Sequence, residues 1–137
     1  SLLDNSGVVY KVNCNNCNNC NQAYIGETSH NLWYRIEEHK TNVDSIKDRK
    51  YTRSERKMSE KEWNLSAITD HVARENHLID WENIKILDRE SEDRGRRIRE
   101  SINIRKEQNP MNRDEGGHRL SHLYDIVLTP SSNIQNF

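Results

Sequence analysis

The sequence predicts an α+β domain with elements in the order β, β, α, α, β, α. Three observations carry this: short β-branched and aromatic runs near the start, two stretches with apolar residues at helical spacing, and an Ile-alternating segment leading into a long Arg/Glu-rich one. At 137 residues the chain has room for one domain, read as residues 1–130 with a tail at 131–137. Only 32% of the residues are hydrophobic and the mean hydropathy is −1.10, so the core must be thin, a small three-stranded sheet flanked by helices. Such a core gains from a staple, because burial has to offset roughly 1.5 kcal/mol of conformational entropy per residue.

Val8 to Val12 reads as the first strand from its β-branched and aromatic content, and Ala23-Tyr24-Ile25 as the second, ending at Gly26. The asparagine-cysteine tract at 14–20 connects them as a hairpin. Leu32, Ile36 and Val43 recur at helical spacing, with Ser29 or Asn31 available to cap the first helix. A basic insertion follows at about 41–62; Lys47, Arg49, Lys50, Arg53, Arg56 and Lys57 outnumber its acidic residues, and it reads either as a solvated loop or as a DNA contact. Ser66 caps a second helix with Ile68 and Val72 inward, which stops near Asn76, a residue that tolerates the left-handed cap conformation. Ile84 and Ile86 alternate in a third strand. From Ser91 or Asp93 toward Pro110, length and Arg/Glu content favour a third helix over strand. Gly116-Gly117 and the residues after Leu128 read as loop.

The formal net charge of −1 gives no basic surplus, so any nucleic-acid contact must come from local patches. No apolar run approaches the ~18 residues that a membrane helix needs, and no signal for secretion is apparent; an intracellular, reducing compartment is expected. The three cysteines agree, since Cys14, Cys17 and Cys20 are an odd set too closely spaced for a disulfide framework. Cysteines near one another can aim thiolates at one tetrahedral Zn²⁺, which then needs histidines to close its shell. His71 and His77 would face different ways on a continuous helix, but a break at Asn76 lets His77 fold back toward the hairpin. His118 and His122, at i and i+4, are a rival pair, and a set of reduced, partly buried thiols is the bland alternative.

Gly7-Val8-Val9-Tyr10, then Tyr24-Ile25-Gly26, Arg35 and His39, Glu100, and Asn112 follow one another along the chain. In that order they resemble the motifs of the GIY-YIG nuclease family, and the blocks VVYKVNC, AYIGETS, YRIEEHK, ITDHVARENHLIDWENIKILDRES, RIRESINIRKE, MNRDEG and SHLYD resemble its Penelope-like retroelement subgroup over most of the chain. The resemblance implies a GIY-YIG fold and a metal-dependent endonuclease that nicks DNA to leave a 3′-hydroxyl for reverse transcription. It implies Tyr10, Tyr24, Arg35, His39, Glu100 and Asn112 as catalytic residues, Glu100 as the ligand of a catalytic Mg²⁺ or Mn²⁺, and a structural zinc on Cys14 and Cys20 with His71 and His77, Cys17 being the other cysteine available. The implied partners are DNA and a reverse transcriptase domain of the same polypeptide, with no membrane and no small-molecule substrate, in the nucleus.

Each of these residues also has a plainer reading. Glu100, among Arg96, Arg97 and Arg99, looks like a surface salt-bridge partner; Tyr10 and Tyr24 look like ordinary strand aromatics; His39 lies close to the apolar stripe of its helix, as a core-edge histidine would; Asn112 looks like a turn residue. With no further carboxylate in the motif set, a single catalytic metal is expected. The competing class is a zinc-stabilised DNA-binding module without cleavage activity, contacting DNA through the cysteine hairpin and the basic insertion.

Overall fold

A computed structural model of the chain describes residues 1–15, 20–47 and 66–112. Among them a 3-10 turn (Leu2–Asp4) precedes β1 (Ser6–Cys14), β2 (Ala23–Asn31), α1 (Leu32–Lys47), α2 (Ala67–Glu75), β3 (Ile79–Arg89) and α3 (Asp93–Lys106). The order β, β, α, α, β, α is the expected one. Cys17, His118, His122, the glycine pair and the tail lie outside the described residues, as does the basic insertion beyond Lys47.

The three strands form one antiparallel sheet in the order β2-β1-β3, so the first strand is the central one. Val8, Tyr10 and Val12 on one face of β1 join Tyr24 of β2 and Ile79 and Ile84 of β3 in the core. Leu32, Ile36 and Val43 from α1 and Ile68 and Val72 from α2 cover them. The alternate residues of β1 and β2 meet α3 instead: Lys11 pairs with Glu107 at 2.7 Å and Glu27 with Arg96 at 2.5 Å. Helices therefore flank both faces of the sheet, as period-2 alternation in the strands requires.

Two boundaries differ from expectation, and the choice between two caps resolves to one. β2 does not end at Gly26 but runs on to Asn31, pairing Tyr10 with Gly26 and Val8 with Thr28, because the long β1 offers it a continuous partner. Asn31, not Ser29, then caps α1 by accepting the Trp33 N–H at 2.9 Å. α1 continues to Lys47, so the segment read as insertion from about residue 41 begins as helix; buried Val43 extends the stripe of Leu32, Ile36 and His39. Gly7 has φ +63° at a register shift of β1 and its carbonyl accepts the Glu90 N–H at 2.8 Å, a bend that an L side chain would strain.

Candidate functional site

The hairpin between β1 and β2 brings the two outer cysteines against the end of α2. Asn76 takes the left-handed conformation, φ 54° and ψ 38°, and its N–H bonds to the Val72 carbonyl, so the helix ends there and the chain turns back through His77. His71 Nε2 lies 3.1 Å from His77 Nδ1, 3.4 Å from Cys14 Sγ and 3.7 Å from Cys20 Sγ, and Cys14 Sγ lies 3.4 Å from His77 Nδ1. With Zn–S of about 2.3 Å and Zn–N of about 2.0–2.1 Å, the edges of a tetrahedral Cys₂His₂ shell run from roughly 3.3 to 3.8 Å. The distances of 3.1 to 3.7 Å lie close to that range, and the four donor atoms, all within 4.8 Å of one another, could hold a metal ion such as zinc. Burial first, and then neighbouring His77, push His71 toward its neutral form, which is the form that ligates metal.

A second cluster stands where β1, β2 and α1 meet. Tyr10 is 0% exposed, and its hydroxyl is 2.8 Å from His39 Nε2. Tyr24, 9% exposed, sets its ring edge-on to the His39 imidazole at 5.3 Å between centroids, and the two tyrosine rings are 6.2 Å apart. Gly26 makes room for both: a Cβ there would come 2.5 Å from the Tyr10 hydroxyl and 2.7 Å from Tyr24 Cε1. The glycine expected to end a strand is instead the floor beneath two tilted tyrosine rings, where close approach excludes any larger residue.

Half-buried Arg35, one turn before His39 on α1, lies close enough to Tyr10 and Tyr24 for its charge to act on both and holds Glu38 at 2.7 Å. Burial alone would lower its pKa, but Tyr10, Glu38 and Tyr24 outweigh that and keep it charged. The tyrosines are raised above their ordinary value by burial, with Arg35 pulling the other way. His39, 1% exposed, falls from 6.5 to about 3, first through burial and then through the Arg35 charge, and is neutral at physiological pH. It is a core histidine by burial and a hydrogen-bonded partner of Tyr10 by geometry; the two readings hold together.

Glu100 lies on α3, half-buried, and makes no hydrogen bond or ion pair among the described residues. Burial first and Glu27 second raise its pKa to about 7, against the pull of Arg35, Arg97 and Arg96. It is therefore not the surface salt-bridge partner that its arginine neighbours suggested. Two of those arginines are engaged elsewhere: Arg99 with Asp88 at 2.8 Å, and Arg96, its side chain only 3% exposed, with Glu27 and Asp93 and with the Glu90 and Ser91 carbonyls. Glu27 is the acidic neighbour that sequence reasoning missed. Its position directly after Tyr24-Ile25-Gly26 was visible, but 69 residues separate it from Arg96, and only the packing of α3 on β2 brings the two carboxylates near each other.

Asn112 is a backbone clamp: its Oδ1 accepts the Ile25 N–H at 2.9 Å and its Nδ2 donates to the Ile25 carbonyl at 2.7 Å. It fixes β2 between Tyr24 and Gly26, an anchoring task that joins the turn reading to the site reading. No helix among the described residues is long and apolar enough to cross a membrane. Compared with family models, with curated proteins and with solved structures, the chain finds no match.

Proposed function

We propose that this domain is a DNA endonuclease of the GIY-YIG type, stapled by a structural zinc, which nicks one strand to leave a 3′-hydroxyl. One observation carries the reading: Tyr10 and Tyr24 meet over Gly26 beside His39 and Arg35, and a half-buried Glu100, which makes no ion pair among the described residues, lies within reach of their charges. A fixed cation, a neutral proton acceptor and an available carboxylate are what phosphodiester hydrolysis asks of a protein.

The donor set at Glu100 suits a hard cation, since an unpaired carboxylate with a second one nearby offers oxygen ligands only. Bound there, Mg²⁺ or Mn²⁺ would supply Lewis-acid polarisation of the scissile phosphate. The protein's own part is distinct. Water attacks phosphorus, the P–O3′ bond breaks with the departing O3′ taking up a proton from solvent, and Arg35 stabilises the charge that builds on the phosphoryl oxygens. The water's proton passes to the Tyr10–His39 pair, Tyr10 giving its own proton to His39 Nε2 as it receives the new one, while the more accessible Tyr24 lines the approach. The Arg35 charge that depresses His39 is offset when it faces a phosphate, so DNA binding makes the imidazole a better acceptor. The 3′-hydroxyl released would prime reverse transcription by a polymerase domain of the same polypeptide.

The test is incubation of zinc-loaded protein with supercoiled plasmid and Mg²⁺ or Mn²⁺. Conversion to nicked circle whose ends a DNA polymerase extends without prior treatment is the expected result. Binding of the plasmid without nicking would overturn the reading in favour of a zinc-stabilised DNA-binding module.

A further inference from the structure

Ser66 stands at the N-cap position of α2, where a serine side chain ordinarily accepts a backbone N–H of the first turn. Here it makes no such cap bond. Its hydroxyl lies 3.2 Å from His39 Nδ1 and 3.1 Å from the Thr69 hydroxyl, so the oxygen expected to cap α2 is turned into the site. With His39 Nε2 on Tyr10 at 2.8 Å, four side chains from β1, α1 and α2 form one continuous chain of hydrogen bonds: Tyr10, His39, Ser66, Thr69.

We infer that Ser66 is a positioning residue, which accepts the Nδ1–H of His39 and so holds that histidine in the tautomer whose Nε2 receives the Tyr10 proton. The inference rests on the proposed nuclease chemistry for its purpose, but not for its geometry. A neutral imidazole has one donor nitrogen and one acceptor nitrogen, and which is which follows from the partner of the other. The Tyr10 hydroxyl has His39 as its hydrogen-bond partner, and the nearby Arg35 is a cation that can accept nothing, so the Tyr10 O–H donates to Nε2. That makes Nδ1 the protonated nitrogen and Ser66 its acceptor, with the serine O–H passing on to Thr69. The opposite direction would leave the Tyr10 proton, close to the Arg35 cation, without an acceptor in the chain. α2 also carries His71 into the metal cluster, so one helix serves both sites.

The experiment is long-range ¹H–¹⁵N correlation of the full chain labelled at histidine, with the His39 ring assigned by its loss in His39→Gln. Expected are a protonated Nδ1 and an unprotonated Nε2 in the parent, retention of that state in Ser66→Thr, and a shift toward the Nε2–H form in Ser66→Ala. An Nε2–H tautomer in the parent overturns the inference, and needs no variant to fold; so does an unchanged tautomer in Ser66→Ala. On plasmid, Ser66→Ala should lower kcat about 10- to 100-fold with KM unchanged, and Ser66→Thr should restore it. A kcat equal to the parent's removes the positioning role. If the parent does not nick at all, the proposed function fails, while the tautomer still decides the assignment of Ser66.

Discussion

Acidification should destabilise this domain through His39 by an amount that can be isolated from every other group. The imidazole is neutral and buried in the fold, with its pKa lowered to about 3, whereas the unfolded chain returns it to about 6.5. Between those values the unfolded state binds a proton that the native state does not, so stability is fully present above pH 6.5 and is lost as pH falls toward 3. At pH 5 the loss is set by the 1.5 units below 6.5, about 2 kcal/mol at 1.36 kcal/mol per unit. Burial lowers the pKa of His71 as well, so the measurement is a difference: urea unfolding of the parent and of His39→Gln, side by side, from pH 7.5 to 5. The gap in unfolding free energy should move by about 2 kcal/mol in favour of the variant as pH falls, since only the parent carries this titration. A gap that stays constant across the range would refute the burial argument and, with it, the neutral acceptor beside Tyr10.

Gly26→Ala should lower stability by about 1–3 kcal/mol and abolish nicking, because the added methyl meets the Tyr10 hydroxyl at 2.5 Å; an unaltered melting curve would show that the tyrosines can move aside. Glu100→Ala should eliminate nicking while leaving zinc content and fold intact, and Arg35→Ala should lower the rate by at least ~100-fold; nicking near the parent's level in either variant would remove that residue from the chemistry. Purified protein should hold about one zinc per chain, and His71→Ala or His77→Ala should lose it and melt at lower temperature, because metal affinity appears as folding stability. His118→Ala should keep it, and the reverse pattern would move the site to the C-terminal histidines.

The parts legible in the sequence are those set by local chemistry. Helical spacing at Leu32, Ile36 and Val43 marks α1, and the single residue Asn76, able to adopt φ 54°, explains how two histidines six apart reach one point. The parts that were not legible depend on which strands pair and which helix lands on them. Nothing local to Gly26 tells a strand end from a floor under two tyrosines, because the difference lies in Tyr10, sixteen residues earlier, crossing above it. Ser66 looked like a helix cap because serine before an apolar run usually is one; its hydroxyl points elsewhere because His39, on another helix, presents a nitrogen that needs a partner.

The same reasoning gives the metal cluster a purpose beyond stapling a thin core. α2 spans only nine residues, too short to persist in water without tertiary support. His71 at its middle and His77 just past its end belong to the Cys/His cluster, and Ser66 at its start carries the hydroxyl that meets His39. A metal held by Cys14 and Cys20 with the two histidines would therefore fix β1 against the helix whose first hydroxyl meets the histidine on Tyr10, itself a β1 residue. Metal loss should then disturb the Tyr10–His39 pair before the sheet unfolds, because the sheet has its own ladder and core while α2 depends on its contacts with α1 and on the cluster.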